Sequence, residues 1–130
     1  MTGQVTALHS APCFTDRYGY KFCARLYLYG DGIGKCTHVS LFFVLMKSEY
    51  DNVTKWPFKQ RVTFRLNAQE GTTKPIKESF MPDDNSSSFK QPQKSMNIAA
   101  GCPMFISIED LENGGFIKDD SFFIEINVAK

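Results

Sequence analysis

The stretch YGYKFCARLYLYGDGIGKCTHVSLFFVLMK, residues 18–47, decides the fold. Two alternating runs flank a glycine-rich turn, the pattern of a long β-hairpin with a loop of several residues. In the first run Tyr20, Phe22, Ala24, Leu26 and Leu28 share one face, and Lys21, Cys23, Arg25, Tyr27 and Tyr29 the other. In the second run Val39, Leu41, Phe43 and Leu45 share one face, and His38, Ser40, Phe42, Val44 and Met46 the other. Successive strand side chains point to opposite sides of a sheet, so the period of two assigns both faces. The aliphatic face is the expected core. The opposite face carries a cation, a phenol and a phenyl ring at Arg25, Tyr27 and Phe42. Such a group is either a recognition patch or the cover of a second layer, and periodicity alone favours the second.

Outward from this hairpin the same period recurs. Gln60–Asn67 alternates, with Val62, Phe64 and Leu66 inward. Lys74–Met81 is a weaker strand anchored by Ile76 and Phe80, Met104–Ile106 is a short apolar strand, and Ser121–Val128 closes the chain with Phe122, Ile124, Ile126 and Val128 on its core face. A further short strand is expected around Cys13–Thr15, whereas residues 1–13 otherwise show no clear period. Ser107-Ile-Glu-Asp110 reads as a helix N-cap with an acidic third position, and Gly114-Gly115 as the stop, giving a helix over Ile108–Asn113. Trp56-Pro57-Phe58 places a proline where a central ladder position is forbidden and two aromatics where one end of the core needs a lid. MPDDNSSSF, residues 81–89, favours local turns over ladders. The expected architecture is all-β: one antiparallel β-sandwich of seven to eight strands with short helical turns.

The composition agrees. The chain has 130 residues, 42% of them apolar, and twelve are phenylalanine, a residue at home in strands. That length suits one domain with one real core. A net charge of +1, spread in both signs, supplies no field for nucleic acid or an anionic membrane. The four cysteines form no C-x-x-C pair, which argues against structural zinc. The opening MTGQVTALHS lacks a basic start and an apolar block, so a signal peptide is not expected, and reduced thiols in the cytoplasm are. Cys36 and His38, two apart on a strand, could suggest a thiol nucleophile and its base. Catalysis also needs an orienting group and an oxyanion hole, and neither pattern occurs. No enzyme activity, cofactor or metal is expected.

Six motifs then occur in order: YGYKxCARLYLxGDGxGK, THVSLFFVLMK, WPFKQRVTF, NSSSFK, MNIAxGCP and IKDDSFFI. Together they resemble the C-terminal TRAF (MATH) domain of tumour-necrosis-factor-receptor-associated factors, over residues 11–130, with residues 1–10 as a poorly defined N-terminal segment. The serine triplet resembles the branch that binds several receptor tails.

The resemblance implies an intracellular signalling adaptor. Its partners would be short extended peptides of P-x-Q-E or P-x-Q-x-x-D type, from cytoplasmic receptor tails or signalling proteins, added along a sheet edge. Carried over by motif, Arg25 and Tyr27 would meet the ligand's acidic side chain, with Asp31 and Gly32 beside them. Ser86, Ser87 and Ser88 would hold the ligand glutamine. Phe42 and Phe80 would line the pocket for the leading residue, and Ala100, Gly101 and Cys102 would lie near the peptide backbone.

Three departures from the family pattern stand out. Met81 replaces an arginine common after the phenylalanine matching Phe80, and Ala100 replaces a usual serine. A first strand of G-x-F-x-W-K-I type is absent, so the N-terminal segment, another subunit or a swapped strand is expected to cover the edge it leaves. The family also implies trimers held largely by a coiled coil, hence at most weak self-association here, with no nucleic acid and no membrane insertion. Alternative functions are an oligomerisation module with a degenerate groove, or a substrate-recruiting module for a ubiquitin ligase.

Overall fold

A computed structural model describes residues 7–28, 30, 37–69, 74–119 and 121–129. Among the described residues its strands are β1 (Ala7–His9), β2 (Cys13–Phe14), β3 (Lys21–Tyr27), β4 (His38–Met46), β5 (Val62–Leu66), β6 (Ile76–Phe80), β7 (Ala100–Ser107) and β8 (Ile124–Val128), with an α-helix, α1 (Ile108–Asn113), between β7 and β8. Among the described residues these strands form two antiparallel sheets. One has the order β1-β3-β4-β7, with β2 also paired to β3, and the other the order β6-β5-β8. The hairpin loop around Asp31, Gly32 and Cys36 and the turn at 70–73 lie outside the described residues.

The aliphatic face of the hairpin is the core, as the alternation requires. The opposite face is itself partly covered, with Cys23, Ser40 and Val44 buried on it and Arg25, Tyr27 and Phe42 partly exposed. The register sets Ala24 against Phe43, Arg25 against Phe42 and Leu26 against Leu41. Phe22, Val39, Leu41, Phe43 and Leu45 are buried, as are Val62, Phe64 and Leu66 of the second sheet, and all belong to one apolar cluster. Phe64 of β5 meets Phe105 of β7 edge-to-face at 6.2 Å, which ties the two sheets together. Phe58 is fully buried and stacks on Phe43 at 5.4 Å, with Tyr20 edge-on to it at 4.8 Å. The Tyr20 hydroxyl donates to the Lys55 carbonyl and Trp56 Nε1 donates to the Asp51 carbonyl at 2.8 Å, so the aromatic lid also satisfies its polar ends. Each phenylalanine so buried contributes about 1.5–3 kcal/mol.

The helix falls where its caps place it. Ser107 Oγ accepts the Asp110 backbone N–H at 3.0 Å, and Gly114 terminates the helix. The last strand begins at Ile124 rather than Ser121, because Lys118 and Ser121 close a small turn by pairing with each other.

Two stretches differ more from the alternation. First, β7 runs from Ala100 to Ser107, well beyond the expected Met104–Ile106, and contains Pro103. It is an edge strand, and the ladder shifts between Val39, opposite Ile106, and Leu41, opposite Cys102. The proline sits inside that irregularity, where no ladder donor is required of it. Ser40, completely buried, donates its hydroxyl to the Pro103 carbonyl at 2.6 Å. Second, the aperiodic N-terminus contributes strands. Ala7, Leu8 and His9 pair with Tyr27, Leu26 and Arg25, and Cys13 and Phe14 pair with Phe22 and Lys21. The N-terminal segment therefore pairs along the side of β3 that β4 does not occupy. A strand of three residues is too short to show a period of its own.

Candidate functional site

The row Arg25–Phe42–Gly101 organises the outward face of the larger sheet. Phe42 on β4 stands opposite Arg25 on β3 and opposite Gly101 on β7. Tyr27, two residues along β3, turns its ring edge-on to Phe42 with centroids 5.8 Å apart. Arg25, Tyr27 and Phe42 are all partly exposed. A cation, a phenol and a phenyl ring thus form one continuous surface that leads across the sheet to its edge. Among the described residues β7 has β4 on one side and no strand on the other. Its outer N–H and C=O groups are those a further strand would use.

Gly101 permits the close approach of β7 at this point. A Cβ there would lie 2.5 Å from the Leu41 carbonyl oxygen and 2.9 Å from the Phe42 Cα. Its neighbours face the other way: Ala100 and Cys102 are partly buried and pack against the core. Burial pushes the Cys102 thiol up to about 11, and the Glu78 carboxylate on β6 adds to the rise. On the outward face burial also raises the Cys23 thiol, and the Arg25 guanidinium opposes that rise.

Phe80 ends β6 and is divided between two environments. Its ring lies 5.9 Å from Phe64 and 6.0 Å from Phe89, yet it is not fully buried. The serine triplet follows. Ser86 caps a 3-10 turn over Ser87–Phe89, its hydroxyl accepting the Ser88 N–H at 3.2 Å. Successive residues of such a turn point about 120° apart. The three serines consequently differ: Ser87 is exposed, Ser86 intermediate and Ser88 only 7% exposed. Asn97 anchors this turn, donating from Nδ2 to the carbonyls of Ser88 at 3.0 Å and Lys90 at 2.7 Å. Its own N–H bonds the Leu45 carbonyl at 2.9 Å, which fastens the segment before β7 to the end of β4. A cleft of about 330 Å³ opens here, lined by Ser87, Lys90, Lys94, Met96 and Asn97 among others.

Of the expected site residues, the fold brings Arg25, Tyr27, Phe42 and Gly101 together. Ala100 and Cys102 flank that row from the core side, Phe80 ends β6 in the second sheet, and Ser86–Ser88 lie beside Asn97 and the end of β4. Asp31 and Gly32 lie outside the described residues. His9 is a neighbour that alternation missed: Arg25 Nε donates to His9 Nε2 at 2.9 Å. One Arg25 Nη also contacts Met96 Sδ at 4.0 Å. Only the β1–β3 pairing reveals His9, since its segment carries no period. His38 Nδ1 shares a hydrogen bond with Thr37 Oγ1 at 2.8 Å, and Cys36 lies outside the described residues. Among the described residues no cluster of side chains could hold a metal ion, and no helix is long and apolar enough to cross a membrane.

Two antiparallel sheets packed face to face over one aromatic-rich core define an all-β sandwich domain. The chain belongs to the TRAF/meprin MATH domain family, whose profile matches residues 5–125. It is 51% identical over 128 residues to TNF receptor-associated factor 5 of Mus musculus, covering 97% of this chain and 23% of that protein. It is 45% identical over 126 residues to human TNF receptor-associated factor 2, covering 96% of this chain and 25% of that protein. Its fold is similar to the solved structure of TRAF5 from Notothenia coriiceps, with a TM-score of 0.92 and 37% identity over 95% of this chain and 62% of that one. The chain thus spans about a quarter of the length of these curated relatives.

Proposed function

We propose that this domain, with residues 11–130 as its body, is a signalling adaptor that binds short extended peptides of P-x-Q-E or P-x-Q-x-x-D type. The peptides would come from cytoplasmic tails of receptors or from signalling proteins, with the domain itself in the cytoplasm. The observation that carries the proposal is the row from Arg25 through Phe42 to Gly101, which ends at a β7 edge that no other strand of the described residues pairs with. An added strand gains main-chain hydrogen bonds along such an edge, and side-chain pockets supply the specificity. Arg25 can give a charge-assisted hydrogen bond to the ligand carboxylate, with the Tyr27 hydroxyl as a second donor. Ser87 is the triplet member best placed to meet the ligand carboxamide, with Ser86 beside it. The buried Ser88 acts through its carbonyl by holding Asn97. Phe42 and Phe80 offer apolar faces for the leading residue. The relatives' name, TNF receptor-associated factor, fits this assignment.

A fluorescent P-x-Q-x-x-D peptide titrated by anisotropy tests it. One short peptide buries little area and loses its freedom on binding, so a Kd of roughly tens to hundreds of micromolar is expected. Binding should be lost in the Arg25→Ala, Tyr27→Ala double variant, and on changing the peptide glutamine to alanine. Binding that survives both changes, or no binding at millimolar peptide, would overturn the assignment.

A further inference from the structure

His9 stands on the N-terminal strand directly opposite Arg25, and the two are hydrogen-bonded side chain to side chain. Arginine is always a donor, so the bond requires a neutral imidazole with a bare Nε2 and its proton on Nδ1. Guanidinium and imidazole are both partly or fully exposed to solvent, on the face shared by Tyr27 and Phe42. Building on the peptide-binding function proposed above, we infer that His9 is a further ligand-reading residue of this site, one that makes affinity for an acidic peptide rise as the pH falls.

The chemistry follows from donors and acceptors. While His9 is neutral, it occupies the Arg25 Nε–H, the donor on the side of the guanidinium that faces β1. Protonation gives Nε2 a hydrogen of its own. The two groups then present donors to each other, and two positive charges sit side by side. The bond is lost. A carboxylate entering between them accepts one hydrogen from each, and relieves their repulsion. Proton uptake at His9 and carboxylate uptake therefore favour each other, reciprocally.

The sign is fixed. Affinity for a carboxylate-bearing peptide is lower while the imidazole is neutral and higher once it is protonated. Among the described residues, the titratable groups on this face beside His9 are Arg25 opposite it and Cys23 and Tyr27 along β3. From the elements packed on this face, β4 sets the uncharged Phe42 and Ser40 opposite Arg25 and Tyr27, and the uncharged Met96 contacts the Arg25 guanidinium.

The test is peptide anisotropy at about pH 7.5 and about pH 5.8, with ligands ending in aspartate or asparagine, on the parent chain and on His9→Phe. The aspartate peptide should bind the parent chain about two- to fivefold more tightly at the lower pH, the size of one exposed charge pair. The asparagine peptide should show no such gain, and His9→Phe should flatten the profile. A second measurement needs no variant or ligand. The Arg25 side-chain Nε–Hε resonance should shift with pH along the titration curve of His9. Arg25-dependent binding whose pH profile survives His9→Phe overturns the inference alone, as does an Arg25 resonance that ignores the His9 titration. No peptide binding at either pH overturns the adaptor function on which it rests.

Discussion

Ser40 and Pro103 meet through a single buried hydrogen bond, hydroxyl to carbonyl at 2.6 Å, at the point where the β4–β7 ladder changes register. The hydroxyl supplies what the ladder cannot there, a donor for a carbonyl in an irregular stretch. Ser40→Ala removes it and should leave the Pro103 carbonyl without that donor. A cost of about 1–3 kcal/mol is expected, from urea unfolding followed by circular dichroism. An unchanged midpoint would show that the bulge is held by something else.

Gly101 leaves no room for a side chain between β7 and β4. A methyl group there meets the Leu41 carbonyl and the Phe42 Cα at distances that require backbone movement. Gly101→Ala should therefore destabilise the domain by roughly 1–3 kcal/mol, as overpacking does. It should also weaken peptide binding beyond what the stability loss explains, since the displaced strand is the one the peptide adds to. Equal peptide affinity in the folded variant would separate the β7 edge from ligand binding.

Asn97 holds two carbonyls of the serine turn with one side-chain amide. Asn97→Ala removes both bonds at a stability cost of about 1–3 kcal/mol, given a net worth of 0.5–1.5 kcal/mol for each. The turn would no longer be fixed relative to β7. A glutamine-containing peptide should lose more affinity than its alanine counterpart, and equal losses would argue against the turn as the carboxamide site.

Cys102 and Cys13 should differ in reactivity. Burial, with the Glu78 charge, raises the Cys102 thiol to about 11, whereas Cys13 is exposed on β2. The thiolate is the nucleophile, so at pH 8 Cys102 should be alkylated by iodoacetamide on the order of a hundredfold more slowly than an ordinary thiol. Mass spectrometry of timed samples resolves the two sites. A thiol pKa raised on folding favours the folded state below the unfolded value, and this contribution is lost as the pH rises from about 9 towards 11. Cys102→Ala should accordingly flatten the alkaline limb of the stability profile.

The sequence by itself determined most of the sandwich. Alternation over 20–28 and 38–46 set the faces of β3 and β4, because a one-residue slip would move the core-facing set Phe22, Leu41, Phe43 and Leu45 out of the core. The same rule set Val62, Phe64 and Leu66 inward, and Ser107 with Gly114 bounded the helix because orphan N–H and C=O groups at helix ends demand partners. Arg25, Tyr27 and Phe42 were legible as one face for the same reason. Tertiary structure alone decided what joins them. β1 and β2 are too short to carry a period, and only their pairing with β3 brings His9 to Arg25. The length of β7 through Pro103 depends on its edge position and on the Ser40 hydroxyl from another strand. The unequal exposure of Ser86, Ser87 and Ser88 comes from the 3-10 turn and its anchor at Asn97, which a run of identical residues cannot encode. Periodicity records which side of one strand meets the core. Which strand lies beside which, and what a side chain meets across the gap, is set by the packing of the whole chain.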